Sequence, residues 1–378
     1  MMESVDCQEL KQHIYILIDY LQSRDYSIRK LSKILFNNSI FKVQSWSGFK
    51  EKVKELSLVD SESFLENIKK ILDEEYKRSL FFGKKVIVFY DLQGFSEQQF
   101  NDLEMRIEGE IENNIEAEYS KNFPYLISEN ILEQQSTNLF FVSCEDNESG
   151  VKKFWVCGKK SFRHRKEFIL GEAPEDVQQY FQSFDIGLYD EVIAIRQDFK
   201  QLVSYITIDK NQKSITLYSD ATAITSQSDM DYLSDALFKY LVSIFPDIAS
   251  ARKKNIGNSI RALYDEEEGR VTSFSHYTDS GSVKHEKLDR RRSDEDLRQE
   301  PYHTGGMARI QSQTEFHAIE KRWKSHTRLD LFEPMASLSY KSFMEGTTRA
   351  SACYLVVVDD CAIQADLDML TNKIYQLS

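Results

Sequence analysis

Lys85-Val86-Ile87-Val88-Phe89-Tyr90-Asp91-Leu92-Gln93-Gly94-Phe95-Ser96 is the stretch on which the reading of the fold turns. The apolar run 86–90 has the length of a strand buried on both faces, and the glycine turn after Asp91 ends it. Phe100, Leu103, Ile107, Ile111 and Ile115 then recur at helical spacing. A strand, a turn and a helix are therefore predicted in succession. The helix's other face is acidic, with Asp102, Glu104, Glu108, Glu110, Glu112, Glu116 and Glu118, and reads as a solvated face.

Toward the N-terminus the texture is helical. Leu10, Ile14, Leu17, Ile18 and Leu21 form one stripe, Ile28, Leu31, Ile34 and Leu35 a second, and Trp46, Phe49, Val53 and Leu56 a third. Ser63 with Glu66 has the form of a capping box before Ile68, Ile71 and Leu72. Toward the C-terminus strands dominate first. Hairpins are predicted from 139–143 with 153–157, and from 203–208 with 215–218, with a short strand at 192–195 and a helix at 175–184. Helices follow at 229–245 and 248–263, then a hairpin of 271–277 with 282–288. A loop covers 289–313, a helix 314–324, and a last strand–helix unit begins at Cys353. The fold class is α+β (mixed α/β). Three regions are expected: a helical bundle at 1–80, a strand-rich α/β domain at 81–225, and a mixed helix/hairpin domain at 226–378 that ends in the strand–helix unit.

Bulk properties narrow the function classes. A chain of 378 residues is longer than one ordinary core supports. The 41% hydrophobic, 29% charged composition is that of a globular protein. The longest apolar runs are strand-sized, far short of the ~20 residues of a membrane span. Met1-Met2-Glu3-Ser4-Val5-Asp6 has neither the basic nor the apolar region of a secretory leader. Five scattered cysteines without a Cys-x-x-Cys pair fit reduced thiols. A soluble, cytoplasmic protein is expected, with no membrane partner.

The 89–96 segment resembles the first metal-binding segment of class III nucleotide cyclases, Phe-x-Asp-Ile-x-Gly-Phe-Thr. The resemblance implies that Asp91 is a metal ligand, with Mg²⁺ as its ion, and that Gly94, Phe95 and Ser96 line phosphates. It covers this one segment. The family's second aspartate sits in a turn between two later strands. The best-placed turn here is Ser136-Thr137-Asn138, where neutral Asn138 is a poorer magnesium ligand and compromises a two-metal reaction. The segment reads either as a degenerate relative or as a chance match.

Two further patterns point to phosphodiester chemistry. Asp198-Phe199-Lys200, with Asp190 or Asp185 upstream, has the local form of a metal-nuclease acid and lysine. Arg298 and His303 have the spacing used by some helical RNases, but Pro301 lies between them, where a helix interior excludes it. No phosphate-binding glycine loop, dinucleotide fingerprint or serine nucleophile elbow occurs.

Charge is distributed unevenly in a chain of net charge −13. Three basic clusters stand out. The first is Lys159, Lys160, Arg163, Arg165 and Lys166, with His164 and Phe162 among them. The second is Arg252, Lys253 and Lys254. The third runs from Lys284, His285 and Lys287 to Arg290, Arg291 and Arg292. Arg and Lys in stripes neutralise phosphates, and an interleaved aromatic stacks a base. The first two clusters are expected to join Arg322 and Lys324 if the fold brings them together. The leading expectation is a bacterial-type accessory subunit that binds or senses nucleic acid within a larger, protein-partnered assembly, a role that suits defence against foreign nucleic acid. The alternatives are a metal-dependent phosphodiester enzyme, using Asp91 with Asp359 and Asp360 or Asp198 with Lys200, and a structural adaptor. No cofactor is indicated beyond the Mg²⁺ an enzyme would need.

Overall fold

The computed structural model describes residues 5–56, 62–146, 151–169, 175, 179–180, 191–222, 224, 226–277, 282–289, 294–310, 315–327, 331–345 and 348–378. The fold is α+β, and its centre is one 11-stranded sheet in which every pairing is antiparallel.

The N-terminal part forms α1 (Val5–Ser23), α2 (Ile28–Asn37), α3 (Trp46–Glu55) and α4 (Glu62–Phe82). Their apolar stripes meet in a core that includes Ile14, Leu21, Leu35, Phe49, Leu72 and Tyr76. Helix α4 begins at Glu62, so Ser63 lies inside it and does not cap it. The apolar run becomes β1 (Lys85–Asp91), buried from Val86 to Tyr90. Ser96 caps α5 (Glu97–Asn113), with Gln99 closing the capping box.

Short helices α6 (Glu118–Asn122) and α7 (Glu129–Gln134) lead into a meander of β2 (Phe140–Asp146), β3 (Lys152–Ile169), β4 (Glu191–Asp209) and β5 (Ser214–Asp220). Residues 192–195 and 203–208, predicted as separate strands, belong to the single β4. The predicted 175–184 helix lies almost wholly outside the described residues.

Helix α8 (Gln227–Ile244) comes next. The helix expected at 248–263 is broken. A 3₁₀ turn opens at Pro246, β6 (Arg252–Lys253) follows, and α9 occupies only Asn258–Asp265. The cause lies in β1, which pairs β13 (Val356–Asp359) only through Ile87 and so leaves Tyr90 and Asp91 open at that edge. Residues 252–253 fill the open edge, satisfying backbone groups that a helix would have satisfied internally.

The C-terminal part adds β7 (Arg270–Tyr277), β8 (Val283–Lys287), α10 (Pro301–Ile310), β9 (Glu315–Arg322), β10 (Met335–Ser339), β11 (Lys341–Glu345), β12 (Thr348–Ala352), β13 and α11 (Gln364–Leu377). Two expectations fail here. The 289–313 loop contains α10, with Pro301 at its first position, where a missing N–H costs nothing. The predicted helix at 314–324 is strand β9. Phe316, Ile319 and Trp323 keep helical intervals, but β7 and β10 pair with this segment from both sides and override local preference.

The strand order is β2-β3-β4-β5-β1-β13-β10-β9-β7-β8, with β6 on β1, while β11 and β12 form a separate hairpin. Strands from 81–225 and from 226–378 thus meet in one sheet at the β1–β13 pair. Helices cover both faces. Val86, Val88, Ile206, Ile208, Ile215 and Leu217 pack under α5 and α8. The opposite face packs under the N-terminal helices, α9 and α11.

Register divides the sheet into two ends. Lys85 lies level with Asp220 and Val358, and Met335 with Asp359 and Arg322. This is the near end. Asp91, Arg252, Ser214 and Asp209 share the far end.

Candidate functional site

Two features occupy the near end. The first is a β-ribbon. Strands β3 and β4 stay paired from Lys152 with Ile208 down to Ile169 with Glu191. The β2 partner stops at Cys157 and the β5 partner at Tyr205. Residues 191–201 therefore carry the ribbon roughly 35 Å past its neighbours at ~3.3 Å per residue. Helix α7 and the segment leading into it buttress its base: Lys159 Nζ donates to the Glu133 carbonyl at 2.8 Å, and Gln201 Oε1 accepts the Ile127 N–H at 2.9 Å.

The ribbon concentrates the first basic cluster. Residues 158–169 and 191–201 hold seven Lys or Arg against three Asp or Glu, whereas 170–190 holds five acids and no Lys or Arg. Register sets Lys160 opposite Lys200, a pairing of like charge that opposes sheet formation unless a counter-charge is supplied. Asp229 of α8 pairs with Lys160, and Asp25 lies 3.6 Å from Lys200. Phe162 lies between these two ammonium groups, within 6 Å of each. The side chains of Arg163, Arg165 and Lys166 lie outside the described residues, although their strand positions are described.

The second feature is a cleft of about 360 Å³ between the N-terminal helices and the sheet's near end. Arg24, Lys30, Arg78, Lys84 and Arg322 line it, with Asp25, Asp359 and Asp360. Its floor is a buried network. Arg24 Nη1 donates to Asp220 Oδ2 at 3.0 Å, the Val203 N–H donates to the same oxygen at 3.0 Å, and Lys85 Nζ lies 3.8 Å from Oδ1. Burial alone would raise the Asp220 carboxyl. Arg24 and Lys85 together outweigh burial and hold it well below the usual carboxylate range.

Nearer the mouth the cations are less fully engaged. Among the described residues, Lys84 Nζ donates to one carbonyl, that of Ile224, and Arg322 makes one long contact with Glu320 at 3.4 Å. Arg78 pairs with Glu75 at 3.2 Å and donates to the Ala362 carbonyl. Lys30 pairs with Asp360. Burial raises the Asp360 carboxyl, and Lys30 only partly opposes that. Asp25 and Asp360 both have left-handed backbone, with φ of 54° and 62°, a strained conformation that gathers at functional sites. Asp25 joins the two features, because it lines the cleft and faces Lys200 of the ribbon.

The remaining candidates are elsewhere. Lys253 and Arg252 sit on β6 at the far end, where Lys253 pairs with Asp235 at 2.6 Å, and Lys254 donates to the Tyr375 carbonyl. The second cluster therefore does not join the first, whereas Arg322 does share the ribbon's end. Lys284, His285 and Lys287 lie on β8, the outermost strand of the opposite flank, and Arg290, Arg291 and Arg292 lie outside the described residues.

Asp91 is half-buried at the far end of β1. Asp359 and Asp360 are at the near end of the neighbouring antiparallel strand, about 20 Å away at 3.3 Å per residue, so they cannot share a metal with Asp91. Asn138 precedes β2, which three strands separate from β1, and is also at the near end. Among the described residues no three His, Cys, Asp or Glu side chains converge as metal ligands. Arg298 and His303 are structural. Arg298 holds the carbonyls of Tyr264 and Gly269, and His303 is buried between Glu286 and Tyr264.

The acidic helix α5 is only partly a solvated face. Glu104 is buried and pairs with Lys152 and Lys210. Arg24, Lys30, Arg78 and Lys84 escaped the sequence reading. Lys30 and Arg78 lie on α2 and α4, Arg24 and Lys84 just past the ends of α1 and α4, and no spacing announces that they converge. No helix among the described residues is long and apolar enough to cross a membrane. Comparison with protein-family models and with curated proteins finds no match for this chain.

Proposed function

We propose that this protein binds the phosphate backbone of a nucleic acid at the near end of its sheet, the ribbon and the cleft forming one basic track. One observation carries the reading. Strand register gathers seven Lys and Arg onto a two-stranded ribbon without sheet neighbours, next to a cleft lined by five more cations, in a chain of net charge −13. A two-stranded ribbon has the width that a duplex groove admits, and a basic ribbon can also track a single strand. Affinity would come from counterion release, and Phe162 supplies a stacking surface beside it. A role as a subunit of a larger assembly, in defence or otherwise, belongs to the same proposal. The acids of α5 are its candidate protein-facing surface.

The test is a salt titration of the whole chain against labelled single- and double-stranded DNA and RNA, with EDTA and then with Mg²⁺. Binding that weakens steeply with salt, without cleavage, is expected. Replacing Arg163, Arg165 and Lys166 together by Glu should flatten the log–log salt slope by about 2 to 3, at ~0.9 for each phosphate no longer neutralised. An absence of binding at low salt would remove the proposal, and metal-dependent cleavage would replace it with an enzymatic one.

A further inference from the structure

Strands β4 and β5 have two unlike faces. Ile206, Ile208, Ile215 and Leu217 join the aliphatic core under α5 and α8. Alternation turns Tyr205, Thr207, Ser214, Thr216 and Tyr218 to the other side, under α11. All of these but Thr207 are buried. A helix-covered sheet face is ordinarily aliphatic, because burying a hydroxyl costs free energy unless a partner meets it. Here the two layers leave a cleft of about 310 Å³, the lower end of the range for small-molecule sites.

One end of this cleft holds Lys153. Its side chain is 19% exposed, and its ammonium donates one hydrogen bond, to Gln364 Oε1 at 3.0 Å. The Glu145 carboxylate is 4.0 Å away. An ammonium has three donors; the same group also lies over the Tyr205 and Trp155 rings, 5.0 and 5.4 Å from their centroids, contacts that leave N–H groups for a stronger acceptor. Burial pulls its pKa below the ordinary lysine value, and Glu145 and Asp368 only partly oppose that. Elsewhere in the cleft Asp368 accepts from Gln364 and Asp209 from the Gln212 N–H, each through one oxygen. The second oxygen of each carboxylate is an acceptor suited to a hydroxyl.

We propose that this cleft binds a small polyol carrying one carboxylate or phosphate, with the anion at Lys153 and hydroxyl groups donating to Asp368 and Asp209. Lys153 supplies the charge and N–H donors. The Thr, Ser and Tyr hydroxyls supply neutral partners that both donate and accept. This site lies toward the far end of the sheet, apart from the nucleic-acid track, and does not depend on it.

Calorimetric titration of the full chain with ribose 5-phosphate, glucuronate and ribose tests the inference and separates phosphate from carboxylate. At least one charged sugar should bind tenfold or more tighter than ribose. Lys153→Met should abolish that preference while leaving ribose unchanged. If neither charged sugar outcompetes ribose, or if Lys153→Met keeps the preference, the inference is wrong. Should the variant fail to fold, the wild type still decides. Pyridoxal 5-phosphate condenses with an unprotonated amine, forming an imine and releasing water, and borohydride reduces the imine to a stable secondary amine. Peptide mapping should find Lys153 modified first and protected by the charged sugar. Modification spread over surface lysines, or no protection, would overturn the inference.

Discussion

The two ends of the seven-residue strand β1 are unlike in chemistry. At the near end Lys85 is fully buried and sits with Arg24 and Asp220 under a cationic cleft. At the far end Asp91 is half-buried, paired through its backbone with Ser214 and Arg252. The far end carries the more conspicuous motif and the near end the stronger electrostatics. A local sequence match reports what one strand presents. A site forms where several elements converge, and the convergence is at the other end.

The largest effect expected from this contrast is on stability. Asp220→Ala strands two buried cations and should cost about 3–5 kcal/mol or prevent folding, whereas Asp91→Ala, at the half-buried end of β1, should cost under about 1 kcal/mol. Urea unfolding of the two variants measures both, and equal costs would erase the distinction between the ends.

Binding should follow the same division. Charge reversal of Arg252 and Lys253 at the far end is expected to change nucleic-acid affinity only a few-fold and to leave the salt slope unchanged, in contrast to the ribbon variant. A far-end variant that lost as much affinity as the ribbon variant would move the track to the other end.

Acid sharpens the comparison further. The Asp220 carboxyl is held below its ordinary value of 3.8, so the unfolded chain takes up this proton first as pH falls. The stability it contributes is complete above about pH 5 and is lost progressively as pH drops through the ordinary carboxylate value toward its folded pKa. The stability difference between wild type and Asp220→Asn should therefore shrink from pH 4 to pH 2. Asp360 and Glu75 have the opposite sign, because burial raises both. A difference that stayed constant to pH 2 would show that Asp220 is not the group responsible.

The smallest expected effect is at Asp360. Asn tolerates its left-handed backbone and relieves a desolvated carboxylate, so Asp360→Asn should stay within about 1 kcal/mol of wild type. Asp360→Ala adds a strain of about 1 kcal/mol and should be the worse of the two by thermal unfolding. The reverse order would mean that the Lys30 pair outweighs the backbone.

Much of the fold was legible along the chain. The 86–90 run, the stripe after it and the N-terminal stripes all form the elements they predict, because apolar periodicity is a local property that tertiary contacts reinforce. Polar strand is less legible. Residues 196–202 carry little apolar signal, and they extend β4 because β3 pairs with them. For the same reason 315–322 is a strand and 252–253 leave the predicted helix: an unfilled neighbouring edge decides.

The sequence by itself determined the class, the central strand, the basic character of 159–166 and the absence of familiar nucleotide-binding loops. Tertiary structure alone decided which charges meet. Arg24, Lys30, Arg78, Lys84 and Arg322 line one cleft although almost 300 residues separate the first from the last. Arg252 and Lys253 sit at the opposite end from Lys160, although all three are equally basic on paper. The physical reason is that periodicity is written into neighbouring residues, whereas a Coulomb interaction depends on distance and burial, which only strand order and register fix.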